Sequence, residues 1–88
     1  YMLVEQVQLV DAARFFPEQQ QQLTVRIRYR SRAVPCEVVR EVDDGKLLIR
    51  FCEEVSAITP GQSAVFYVGN RLVGGAFIAS QRGVNMYL

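Results

Sequence analysis

A small all-β fold, a six-stranded and mostly antiparallel β-barrel, is what this sequence predicts, and three observations carry the expectation. Apolar residues recur with period two along most of the chain, and helical spacing is hard to find. Turn-forming residues separate these runs at short intervals. The chain is 88 residues long, so it forms one domain over 1–88. Closing so small a sheet into a barrel removes the edges it would otherwise expose.

The elements follow in order. Residues 3–10, LVEQVQLV, read as a first strand. Residues 11–22, DAARFFPEQQQQ, contain Pro17 and a glutamine run and read as a solvated connector. Residues 23–30, LTVRIRYR, alternate cleanly: Leu23, Val25, Ile27 and Tyr29 share one face, while Thr24, Arg26, Arg28 and Arg30 share the other. Residues 33–42 form another strand, with Pro35 near its start, where a missing N–H is tolerated. Asp43-Asp44-Gly45-Lys46 is a hairpin turn, and LLIRFCEE returns as its partner strand. Thr59-Pro60-Gly61 is a rigid turn leading into the buried strand SAVFYV. Gly69-Asn70 turns the chain into RLVGGAFI, where Gly74-Gly75 marks a bulge or a close backbone approach.

Composition narrows the function classes. Half of the residues are hydrophobic, ample for a core, and the net charge of +1 does not mark the whole chain as a nucleic-acid binder. No stretch approaches the ~20 apolar residues that span a bilayer, so a chain with no membrane association is expected. The opening Tyr1-Met2, running at once into a strand pattern, reads as a piece of a longer protein. With no histidine, and with Cys36 and Cys52 far from any CxxC or zinc spacing, there are no parts for Cys-His chemistry, and no catalytic residue is assigned. Both cysteines fall in strand-like runs and read as small buried hydrophobes. No metal ligands are assigned either. Asp43-Asp44 and Glu53-Glu54 stand at turn and strand ends without a further ligating group nearby.

Two features carry binding chemistry. Arg26, Arg28, Arg30 and Arg32 recur at two-residue spacing, which sets guanidinium groups about 6.5–7 Å apart, close to the repeat of a phosphate backbone. The same row also fits a solvated outer face paired with Glu37 or Glu41 of a neighbouring strand. Tyr29 among them can stack on a base, although alternation points it inward. Gln62, held between a Pro-Gly turn and an apolar strand, either bonds the turn backbone or presents a donor and an acceptor to RNA.

RIRYRSRAVPCEV, then ITPGQSAVFY, then RLVGGAFI together resemble the C-terminal domain of bacterial tRNA-specific 2-thiouridylases. The resemblance covers residues 24–78 and is strongest over TPGQSAVFY. It implies a barrel similar to those of translation elongation factors, serving as a tRNA-binding accessory domain. The parent enzyme would put sulfur on C2 of the wobble uridine. It also implies tRNA contacts at Arg28, Tyr29 and Gln62, with Arg26 and Arg30 as neighbours. ATP with Mg, a persulfide sulfur donor and the catalytic and central domains belong to the full-length, cytoplasmic enzyme. This barrel alone would hold no cofactor and be inactive. The alternative is a structural barrel that packs on the catalytic half without touching RNA. FCEEV departs from the family, which often has an acidic residue and a proline there. The closing SQRGVNMYL carries no motif.

Overall fold

The computed structural model describes residues 1–11, 22–27, 32–56 and 58–88. It contains six strands: β1 (Met2–Leu9), β2 (Leu23–Arg26), β3 (Val34–Glu41), β4 (Leu47–Phe51), β5 (Ser63–Val68) and β6 (Arg71–Ile78). They close into a barrel in the order β1-β4-β3-β2-β5-β6, and every neighbouring pair is antiparallel. The predicted barrel is therefore observed, with short 3-10 turns at Asp43–Gly45 and Val84–Tyr87. The body of the predicted connector, 12–21, lies outside the described residues, as do 28–31.

Alternation builds the interior. Leu23, Val25 and Ile27 point inward, joined by Met2, Val4, Cys36, Ile49, Phe66, Val73 and Ile78. Phe66 is the largest side chain fully out of water among the described residues, and truncating it to alanine would cost about 3–5 kcal/mol. β5 is not buried throughout as expected. Only Ala64 and Phe66 are buried, while Ser63, Val65 and Tyr67 face outward and stay partly open to solvent.

Bulges bend the strands around the barrel. Val38 opposes Ile49 and Arg40 opposes Leu48, so Val39 is the extra residue in β3. In β6 the extra residue is Val73, beside the predicted Gly74-Gly75 irregularity. β1 has one between Glu5 and Gln8, and Gln6 there takes a left-handed backbone (φ 52°) that a side chain disfavours.

Two places break strict alternation for a reason visible only in three dimensions. Met2-Leu3-Val4 and Leu47-Leu48-Ile49 pair with each other and are buried on both faces. Their outward residues, Leu3 and Leu48, are covered by Ala79, Val84 and Tyr87. The segment after β6, which had no sequence reading, thus docks on the outside of β1 and β4. Gln81 fastens it: its Oε1 accepts from the Leu3 N–H at 3.0 Å, and its Nε2 donates to the carbonyls of Leu3 at 3.1 Å and Ala79 at 2.6 Å. The Tyr87 hydroxyl donates to Asp43 at 3.2 Å, and Arg40 donates to the Tyr87 carbonyl.

Candidate nucleic-acid interface

Thr59-Pro60-Gly61-Gln62 sets up the site. The Gln62 N–H donates to the Thr59 carbonyl at 3.4 Å, closing a four-residue turn with Pro60 in its second position. Gly61, in the third, has φ 89°, the angle a type II turn requires there and the reason glycine occupies it. The turn is pinned to the end of β6. The Gly61 N–H donates to the Ile78 carbonyl at 2.8 Å, and the Ile78 N–H donates to the Gln62 carbonyl at 2.8 Å. Ile78 is buried in the core, so the backbone of Gln62 is anchored while its side chain is exposed. That carboxamide makes no hydrogen bond among the described residues, so the reading in which it bonds the turn backbone finds no support.

β2 runs beside β5, with Arg26 opposite Val65 and Thr24 opposite Tyr67. This register sets Arg26 diagonal to Tyr67, and its guanidinium carbon lies 5.6 Å from the ring centroid, within cation–π range. Arg26, Ile27, Gly61, Gln62, Ser63, Val65 and Tyr67 line one open depression of about 530 Å³. Two of the sequence-predicted residues, Arg26 and Gln62, therefore meet at a single place. Arg28, Tyr29 and Arg30 lie outside the described residues, although Arg28 follows the lining residue Ile27 in sequence.

The other charges are arranged differently from the solvated-face reading. Glu37 does not face the arginine strand, because it pairs with Arg50 of β4 at 2.6 Å. That hydrogen bond, with the nearby carboxylate charge, raises the Arg50 pKa. Arg32, the far end of the row, is bound to Glu53, and Arg71 stands 3.7 Å from Asp11. Arg26 has no carboxylate partner among the described residues.

Tyr67 and Ser63 were missed as site residues. The outward phase of SAVFYV could have revealed them, since the residues between Ala64 and Phe66 and on either side must face away from the core. The cysteines divide. Cys36 is buried, as expected, and lack of solvation together with the nearby Cys52 and Glu37 pushes its pKa up to about 12. Cys52 corrects the reading: it lies exposed in a bend just past β4, not inside a strand. No helix among the described residues is long and apolar enough to cross a membrane.

Fold and surface together define an all-β barrel domain that presents, beside a rigid turn, a largely apolar depression carrying one arginine and one exposed carboxamide. The chain belongs to the aminomethyltransferase beta-barrel domain family, whose profile matches residues 2–78. It is 57% identical over 90 residues to a tRNA-specific 2-thiouridylase of Bacteroides fragilis, covering 100% of this chain and 24% of that protein. A tRNA-specific 2-thiouridylase of Phocaeicola vulgatus is 55% identical over 96% of this chain and 22% of its own length. One from a Shewanella species is 46% identical over 88% of the chain and 20% of its own length. The resemblance read from TPGQSAVFY is borne out. The chain spans about a quarter of the length of the B. fragilis relative.

Proposed function

We propose that this barrel is the tRNA-binding domain of a tRNA-specific 2-thiouridylase and acts by positioning. The observation that carries this reading is the exposed carboxamide of Gln62, unbonded among the described residues, fixed by its backbone to the buried end of β6 and sharing a depression with Arg26. An amide that has a rigid backbone and no internal partner gives a directional hydrogen bond to sugar, phosphate or base at little entropic cost. Arg26 supplies charge, and its planar fork suits phosphate. The resemblance adds Arg28 and Tyr29, with Arg30 as a neighbour, to the same contact surface.

In this reading the sulfur chemistry, ATP with Mg and the persulfide donor belong to the rest of a cytoplasmic enzyme. The barrel holds the RNA and touches the catalytic and central domains of its own chain. A second reading, a barrel that only packs on those domains, is favoured by the exposed Leu9, Val10 and Leu72, which lie where the end of β1 meets the start of β6.

A titration with tRNA at low and moderate salt tests the proposal, with Arg26→Ala, Arg28→Ala and Gln62→Ala run alongside. Binding that falls with salt and weakens in the variants supports positioning. A salt slope shallower by about one in an arginine variant assigns that residue a phosphate. Undiminished binding in all three variants moves the contact elsewhere on the barrel, and no binding of tRNA at all leaves the packing reading.

A further inference from the structure

We infer that the depression between the Thr59–Gln62 turn and the β2–β5 pair is a site for one unstacked nucleotide, with its base resting on Tyr67 and Arg26. The inference rests on the tRNA-binding reading and names what part of an RNA the site would take. Tyr67 faces outward from β5 and is only partly covered, so its ring is open to a ligand. Arg26 lies against that ring at 5.6 Å. A guanidinium held on an aromatic ring offers a second flat, sequence-tolerant surface on which a base can stack.

The rim supplies the polar half. Gln62 and Ser63 are exposed, and their side chains make no hydrogen bonds among the described residues. They offer an amide donor, a carbonyl acceptor and a hydroxyl to a base edge or a ribose. No carboxylate is among the described lining residues, so nothing there repels a phosphate. A volume of about 530 Å³ is within the roughly 300–1,000 Å³ of small-ligand sites.

The distribution of charge favours a single nucleotide over a duplex face. Arg32, Arg50 and Arg71 are each matched to a carboxylate. Arg26 is the one charged side chain among the described lining of the depression, so the site holds a single guanidinium and not a row that would track two phosphate strands. Arg26, which has no carboxylate partner among the described residues, sits beside an aromatic ring.

Fluorescence anisotropy with a short single-stranded RNA, and with a duplex of the same length at the same salt, tests this. The proteins are the unsubstituted chain, Tyr67→Phe, Tyr67→Leu, Gln62→Ala and Arg50→Ala, each checked for folding by circular dichroism. The single strand should bind more tightly than the duplex. Tyr67→Leu, which keeps apolar bulk but removes the ring, should lose about 5- to 150-fold in affinity. Tyr67→Phe and Arg50→Ala, the latter on the strand opposite β5, should bind as the unsubstituted chain does. If Tyr67→Leu binds normally while Gln62→Ala is weakened, the nucleotide site is wrong and the tRNA-contact reading stands. Preference for the duplex, with Tyr67→Leu unaffected, also overturns the site. If neither RNA binds, and intact tRNA does not bind either, both readings fall.

Discussion

Replacing Gln81 by alanine should destabilise the barrel by about 2 kcal/mol, although Gln81 lies outside every strand. Its side chain makes three hydrogen bonds, two of them to Leu3, which is 3% exposed. The Leu3 carbonyl keeps a second partner, the Ala79 N–H at 3.0 Å, but the Leu3 N–H loses the Gln81 oxygen and has little access to water. Leaving a buried donor unmatched costs about 1–3 kcal/mol. The carbonyl bonds add a smaller loss, and the looser tail exposes Leu3 and Leu48. For a domain of this size each kcal/mol moves the melting midpoint by roughly 4–8 °C, so a fall of about 8–16 °C is expected. Gln81→Glu should rescue nothing at neutral pH. A carboxylate accepts from Leu3 but turns acceptors toward the carbonyls of Leu3 and Ala79. Urea unfolding followed by far-UV circular dichroism measures both variants. A change below about 0.5 kcal/mol for Gln81→Ala would refute the claim that the segment after β6 is an integral part of the fold.

Gln6→Gly should stabilise the chain by about 0.5–1 kcal/mol, because it relieves a left-handed backbone at an exposed bulge where the glutamine makes no bonds among the described residues. A lowered melting midpoint would contradict this. The buried Cys36 thiol makes stability fall with alkali. Its folded pKa, about 12, lies above the unfolded thiol's, so the native state keeps a proton that the unfolded chain releases. The contribution is whole below the unfolded thiol's pKa, near 8.5, and is lost as pH rises toward 12, with a slope of at most about 1.4 kcal/mol per pH unit. Denaturant midpoints between pH 8 and 11 should fall more steeply for the unsubstituted chain than for Cys36→Ala, and equal slopes would refute the assignment. In the native state iodoacetamide should modify Cys52 and spare Cys36, since only Cys52 is exposed. Equal labelling would place the thiols wrongly.

The strand pattern was legible because alternation is a local property. Leu23, Val25 and Ile27 read inward from the sequence and are inward, and the Pro60-Gly61 and Gly69 turns fall where their residue types require. Leu3 and Leu48 were harder. A run buried on both faces looks like an ordinary apolar run until its cover is known, and that cover comes from residues about 30–80 positions away along the chain, a link no periodicity encodes. The pairing of Glu37 with Arg50 instead of an arginine of β2 was also out of reach, because it depends on which strand lies on which side of β3. In the candidate site, Gln62 stood out by its setting and Arg26 by alternation. Tyr67 was hidden within an apolar run whose outward phase was read as core.

The most direct test of the central claim is a ¹⁵N-detected titration of the chain with tRNA, read at the glutamine side-chain amides. The Gln62 amide is exposed and makes no hydrogen bond among the described residues. By contrast, the Gln81 amide is bonded to Leu3 and Ala79, and that of Gln22 to the carbonyls of Leu23 and Cys36. These two serve as internal references. The account predicts that the Gln62 side-chain signals and the Arg26 Nε–H shift together and saturate with tRNA, while those of Gln81, Gln22 and Arg50 stay in place. Saturating shifts at Arg50 with Gln62 and Arg26 unmoved would put the RNA on the opposite side of the barrel and contradict it.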